Sequence, residues 1–266
     1  MDTHTLEAKF ARIGARLKVA DGLVPRRAGG PVTLDVRSDR DGEFFEIARR
    51  SGAELDVLDV RAGDRHLLLL VRDGGEKHKF LCGHDERHWF VAAVPEAAGG
   101  VGSVTAAKES LKPDGVKWLQ SRLRVKPKDR NRRKNAAFVR QGEWFFVPAP
   151  GLAVDGLLVL RDEPLSRGAG SKPHRAEFCS RTGGETVSVG PRHPNGVSAG
   201  RYNAVLSRNP KATGWGWVTM RRNPAVYVKG RIRHADHKTV VLHDWHRVLM
   251  NTENRSRAMR HIAFLD

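Results

Sequence analysis

The sequence predicts an α+β fold dominated by antiparallel β-sheet, organised as two β-rich domains joined by a basic helical linker. Three observations predict it. Short apolar runs recur at hairpin-like intervals through the first 100 residues, separated by turn dipeptides. A helix-periodic stretch, interrupted at Pro113-Asp114-Gly115, then leads into a run of cations. Strand-like runs resume beyond it, broken by glycine-rich loops. The expected boundaries are a near-neutral β-rich domain with an N-terminal helix at 1–100, a basic helical linker at 101–135, and a basic α+β domain at 136–266.

Residues 5–17 read as a helix because Leu6, Phe10, Ile13 and Leu17 recur at helical spacing. The runs 32–36, 43–47, 55–60, 66–71, 79–82 and 88–94 read as strands of an antiparallel meander. They lie too close together for helical crossovers between parallel neighbours. The second helical region spans 104–123, interrupted at Pro113-Asp114-Gly115. Residues 126–134, KPKDRNRRK, contain no apolar side chain and are expected to be exposed and mobile. Strand character returns at 136–147 and 157–161, with a short segment at 176–178 between glycine-rich loops. Residues 190–200 read as irregular and 201–206 as a short helix. Strands are expected at 225–228, 231–234 and 238–242, and a helix at 251–260.

Charge is distributed unevenly. Residues 1–100 carry 16 Lys and Arg against 17 Asp and Glu, whereas residues 101–266 carry 31 against 13. Concentrated like charge repels itself and favours a polyanionic partner. No apolar run approaches the roughly 20 residues needed to cross a bilayer, so no membrane partner is expected. Residues 1–18 lack a secretory apolar core, and the two cysteines, Cys82 and Cys179, make no disulfide framework. A cytoplasmic protein is the expectation, with both cysteines as buried thiols.

The leading expectation is nucleic-acid binding, to DNA or RNA, through the basic linker and the basic C-terminal domain. Lys117, Arg122, Arg124, Lys126, Lys128, Arg130, Arg132, Arg133 and Lys134 place nine cations within eighteen residues, against the single acid Asp129. Such a segment can track a phosphate backbone. Arg167, Lys172 and Arg175 flank Gly168 and Gly170 in a loop suited to cradling phosphate. Trp118, Phe138, Trp144, Phe145 and Phe146 are candidates for stacking on unpaired bases; for 144–146 core packing is the preferred reading. The near-neutral N-terminal domain leaves room for a protein partner, and a protein-interaction module without catalysis is the third functional reading.

Histidines supply the second signal. Cys82, His84 and His88 have zinc-ligand character around a turn but lack a fourth ligand. A two-residue turn at Ala235-Asp236 would set His234 opposite His237. The metal candidates are therefore His234, His237 and His246, with a divalent ion possible there and no other cofactor expected. Asp236-His237, Asn251 and His261 also resemble the ordered Asp-His, Asn and His of HNH-type nucleases, over about 26 residues. The resemblance implies a metal-dependent nuclease in which His237 is the catalytic base. Residues 238–250, however, read as a packed strand where that family has an open loop, so a binding protein without cleavage is the favoured reading. Gly196-Val197-Ser198-Ala199-Gly200 fits G-x-S-x-G, but follows a Pro-rich stretch and reads as a loop.

Overall fold

A computed structural model describes residues 1–21, 32–166 and 172–257. The fold is α+β with mainly antiparallel sheet, as the sequence predicts. Helix α1 (Thr3–Ala11) starts where the Asp2 carboxylate accepts from the Thr5 amide at 2.8 Å. It ends earlier than its apolar spacing implies. Gly14, at φ 77°, turns the chain out of the helix, and the Ile13 and Ala15 amides both donate to the Phe10 carbonyl. Leu17 consequently belongs to β1 (Arg16–Asp21), not to the helix.

Strand β2 (Val32–Asp39) pairs antiparallel with β3 (Gly42–Arg49), whose other edge takes β1 in parallel. That parallel pair departs from the purely antiparallel meander expected here; α1 and β1 lie before the hairpin, so β1 can join its free edge in either direction. Strands β4 (Glu54–Arg61), β5 (His66–Asp73), β6 (Glu76–Asp85) and β7 (His88–Val94) form a separate sheet in chain order. All six residues from His66 to Val71 are buried because both faces of β5 are covered. Leu67, Leu69 and Val71 meet Leu6, Phe10, Phe45 and Phe80 on one face. Leu68 meets Val104, Ala107 and Leu111 on the other. Phe10–Phe45 and Phe45–Trp89 pack edge to face at 5.1 and 5.4 Å.

Residues 101–135 are divided between the two halves of the molecule. Helix α2 (Val104–Ser110), capped by Ser103, covers the β4–β7 sheet. Helix α3 (Asp114–Arg122) follows Pro113 and sets Val116 against Ala137, Phe138 and Phe145. The run at 126–134, expected to be mobile, has a defined course. It contains a 3-10 turn at Pro127–Asp129, accepts from the Gln120 side-chain amide at the Arg130 carbonyl, and enters β8 (Lys134–Asn135).

The C-terminal sheet adds β9 (Phe138–Gln141), β10 (Trp144–Pro148), β11 (Leu160–Leu165) and β12 (His174–Thr182). A small module then intervenes: β13 (Glu185–Gly190), β14 (His193–Val197), α4 (Ala199–Arg208) and β15 (Val218–Arg222), with sheet order β14-β13-β15. Strands β16 (Ala225–Arg233) and β17 (Val240–Met250) complete a seven-stranded sheet, β11-β12-β16-β17-β10-β9-β8. Residues 190–200, expected to be irregular, thus hold β14 and the start of α4. The two strands expected at 225–234 are one, with a register shift at Gly230, which adopts φ 83°. Of the helix expected at 251–260, a single 3-10 turn, Glu253–Arg255, is present; residues from 258 lie outside the described ones.

His66 faces Gly83 across the β5–β6 ladder, and its ring occupies the space that a side chain on the glycine would take. A Cβ at position 83 would collide with that ring. Gly83→Ala is expected to destabilise the protein by about 2–3 kcal/mol in denaturant titrations, through overpacking.

Candidate functional site

The tip of the β6–β7 hairpin enters the C-terminal half. Its turn places Glu86 at φ 53°, a left-handed conformation costly for a residue with a Cβ. The Asp85 and Glu86 carboxylates are nearly buried and both accept from the Arg133 guanidinium. Arg140 lies 3.3 Å from Asp85, and the Lys238 amide donates to Glu86 at 2.6 Å. A second seam closes the far side, where the Ser256 hydroxyl donates to the Val94 carbonyl and the Thr252 hydroxyl to that of Ser110.

Between the seams lies a cleft of about 1020 Å³. Its described walls carry seven Lys and Arg side chains against seven carboxylates, so its charge is balanced. Lys108 pairs with Asp64 at 2.9 Å, Lys172 with Asp236 at 3.0 Å, and the buried Lys112 with Glu109 at 2.6 Å. Burial, only partly offset by Glu109, holds the Lys112 ammonium below its usual range.

His174, His234 and His237 meet at one end of this cleft, each offering a ring nitrogen within 4.8 Å of the others. His174, buried at the start of β12, stacks on His234 at 4.1 Å between centroids. His237 stacks on His234 at 4.8 Å. The convergence does not come from a two-residue turn. The last ladder pair, Ile232 with Val240, leaves a wider loop at 233–239 that folds the two rings together. Gly142, at φ 56°, makes room: a Cβ there would lie 2.8 Å from His237 Nε2. His237 Nδ1 lies 3.7 Å from Glu86. Burial, then the neighbouring His234, hold the His237 ring below its ordinary pKa, against the pull of nearby carboxylates.

His246 does not join the group. It pairs with Pro148 and Val228, and so sits roughly 20 Å along the sheet from His234. The HNH-like spacing is interrupted as the strand reading anticipates, because the 11-residue β17 separates His237 from Asn251, although both line the cleft. His261 lies outside the described residues. Cys82 points into the first core, where burial raises its thiol, while His84 packs on Trp89 at 4.9 Å; no cluster with metal-ligand geometry among the described residues contains them. Cys179 is likewise buried, its thiol pushed up to about 11. Ser198 does follow a strand and precede a helix, unlike the loop expected, but its φ of −63° lacks the strain of a nucleophile elbow.

The basic residues separate into two populations. Lys117 pairs with Asp114 at 2.8 Å, Arg132 with Asp129 at 3.1 Å and Arg175 with Asp162 at 3.3 Å. Arg130 donates to the Val125 carbonyl, and Arg133 is committed to the hairpin tip. Arg124, Lys126, Lys128 and Lys134 are exposed, with no ion pair among the described residues. Arg122 lies 5.2 Å over the exposed Trp118 ring. Arg167 falls outside the described residues. Phe138, Phe145 and Phe146 are core residues.

Sequence reasoning missed the aromatic cluster of the small module. His193, Trp215 and Trp217 lie nearly parallel, with centroids 5.4 to 6.4 Å apart, and the Arg192 guanidinium covers Trp215 at 4.4 Å. Trp215-Gly216-Trp217, in a stretch whose one acid between 183 and 224 is Glu185, is the signal that marks it. It missed His174 as well, because 60 residues separate it from His234 and no spacing rule links them. Comparison with protein-family models, curated proteins and solved structures finds no match to this chain.

Burial, reinforced by Lys108, pushes the His66 imidazole down to about 4, while its Nδ1 donates to the Asp64 carbonyl. As pH falls through the unfolded value of about 6.5, the unfolded chain takes up a proton that the folded one refuses. His66 therefore supports the fold above that pH, and the contribution drains away towards pH 4. We expect wild type to lose about 2–3 kcal/mol more than His66→Gln over this window in denaturant titrations.

Proposed function

We propose that the protein binds single-stranded or unpaired nucleic acid, and that the module of β13–β15 and α4 supplies the stacking surface. The observation that carries this reading is the half-exposed cluster of His193, Trp215 and Trp217 beneath the Arg192 guanidinium. The segment 183–224 that carries it holds six Lys and Arg against one acid, Glu185, which pairs with Arg222 at 2.6 Å. Trp217 is fixed, its indole donating to the Ala212 carbonyl at 2.7 Å and its ring resting on Gly190. Trp215 is covered chiefly by Arg192, a cation that can slide aside to a phosphate while a base takes its place on the ring.

Ordinary packing is the competing account of the same rings, since the module buries few apolar side chains of its own. It explains Trp217 well. It does not explain exposed Val218 and Met220, at 59% and 52%, on a strand with so little to bury. The charge-balanced cleft gives no support to phosphate binding, so the polyanion is assigned to the outer surface. There the exposed Trp118–Arg122 pair and Lys126, Lys128 and Lys134 offer a second binding area. Metal-dependent cleavage is the second reading; the convergence of His237 with His174 and His234 supports it.

Two measurements test the leading reading. Trp215→Ala should weaken binding of labelled single-stranded DNA or RNA by about 10- to 100-fold with an unchanged melting temperature. Wild-type affinity in that variant would refute the stacking role. Changing Lys126, Lys128 and Lys134 together to Ala should lower the log–log salt slope by roughly 0.7–0.9 for every phosphate no longer neutralised, again without loss of stability. An unchanged slope would remove these lysines from the interface.

A further inference from the structure

We propose that His174, His234 and His237 bind one divalent transition-metal ion of the zinc class, with a fourth coordination position open to the cleft. Three features of the cluster point there. The first is convergence: three imidazoles from separate parts of the chain place ring nitrogens within 4.8 Å of one another. A tetrahedral zinc ion would draw its nitrogen ligands to about 3.3 Å apart, an adjustment within the reach of small side-chain rotations. The second is the room made for them, since Gly142 at φ 56° lets the Nε2 atoms of His237 and His174 approach where any other residue would place a Cβ.

The third is the surroundings of the rings. Metal-bound histidines commonly donate their second ring nitrogen to a carboxylate or a backbone carbonyl. His237 Nδ1 lies 3.7 Å from the Glu86 carboxylate, which leaves Nε2 for the ion. Glu86 is itself held in a left-handed turn conformation, with its side chain 8% exposed. His234 Nε2 faces the Lys172 carbonyl at 3.3 Å, which leaves Nδ1; that nitrogen now accepts from the Asp236 amide at 3.1 Å, a hydrogen bond the ion would replace. His234 and His237 line the cleft while His174 lies behind them. Three protein ligands with one face towards a cleft is the arrangement of a site that keeps an exchangeable water, not of a closed structural one. The inference stands apart from nucleic-acid binding, because the residues of the two sites do not overlap.

The test uses the full chain, freed of metal with a chelator and titrated with Zn²⁺ and Co²⁺. Wild type is expected to bind one ion per chain, with a raised melting temperature and the visible bands of tetrahedral Co²⁺. His174→Ala and His237→Ala should each bind at least 100-fold more weakly and lose the thermal shift. His246→Ala, on the distant part of the sheet, should bind as wild type does. If His174→Ala does not fold, the His237→Ala arm decides, since its ring is at the cleft surface. Addition of azide should perturb the Co²⁺ spectrum, reporting the open position. Absence of stoichiometric metal from wild type, or undiminished binding in His237→Ala, would overturn the site. A Co²⁺ spectrum insensitive to azide would overturn its open fourth position.

Discussion

Two nearly buried carboxylates at the tip of one hairpin organise this molecule. Removing Asp85 and Glu86 from water costs several kcal/mol each unless cations and amides replace the hydration they lose. Arg133, Arg140 and the Lys238 amide do so, and all three come from the other half of the chain. The pairing therefore requires the C-terminal sheet to stand against the N-terminal one, with a cleft between them. It also brings Glu86 beside His237, so the packing that joins the halves simultaneously sets one wall of the histidine cluster.

The same pairing changes the meaning of the basic run. As a string of letters, KPKDRNRRK is a uniform patch. In the fold its members have separate duties: Arg133 joins the halves, Arg130 caps a backbone turn, Arg132 pairs with Asp129, and Lys126, Lys128 and Lys134 remain in solvent. Only the last group has charge to offer a polyanion. Acids along the cleft neutralise the cations there, and a ligand entering it would meet imidazole and other hydrogen-bonding groups before it met net charge.

The aromatic residues show a parallel division. Phe138, Phe145 and Phe146 lie beside the basic run in sequence yet are consumed by the core, because β9 and β10 pack on α3 and on β17. Among the described residues, Trp118 is an exposed ring, and the insertion between β12 and β16 carries further half-exposed ones in Trp215 and Trp217. That insertion buries little, and β15 is exposed from Val218 to Arg221.

What the sequence determined by itself was local. Alternating apolar runs and turn dipeptides place β2 to β7, because strand pairing between chain neighbours needs only short-range pattern and turn chemistry. Pro113 marks the break between α2 and α3, and the continuous Leu67–Leu70 run announces a strand, which the structure then covers on both faces. The sequence also brought His234 and His237 under suspicion together, through an expected two-residue turn at Ala235-Asp236 that the structure replaces with a wider loop. What only tertiary structure decided was whatever joins distant segments: the parallel seat of β1 beside β3, the placing of β8 and β11 at opposite edges of one sheet, and the arrival of His174 in place of His246. Whether Arg133 faces water or a buried carboxylate depends on a hairpin about 47 residues away, and no local propensity encodes that distance. Side chains acquire their chemical partners only when long-range sheet packing fixes which surfaces meet.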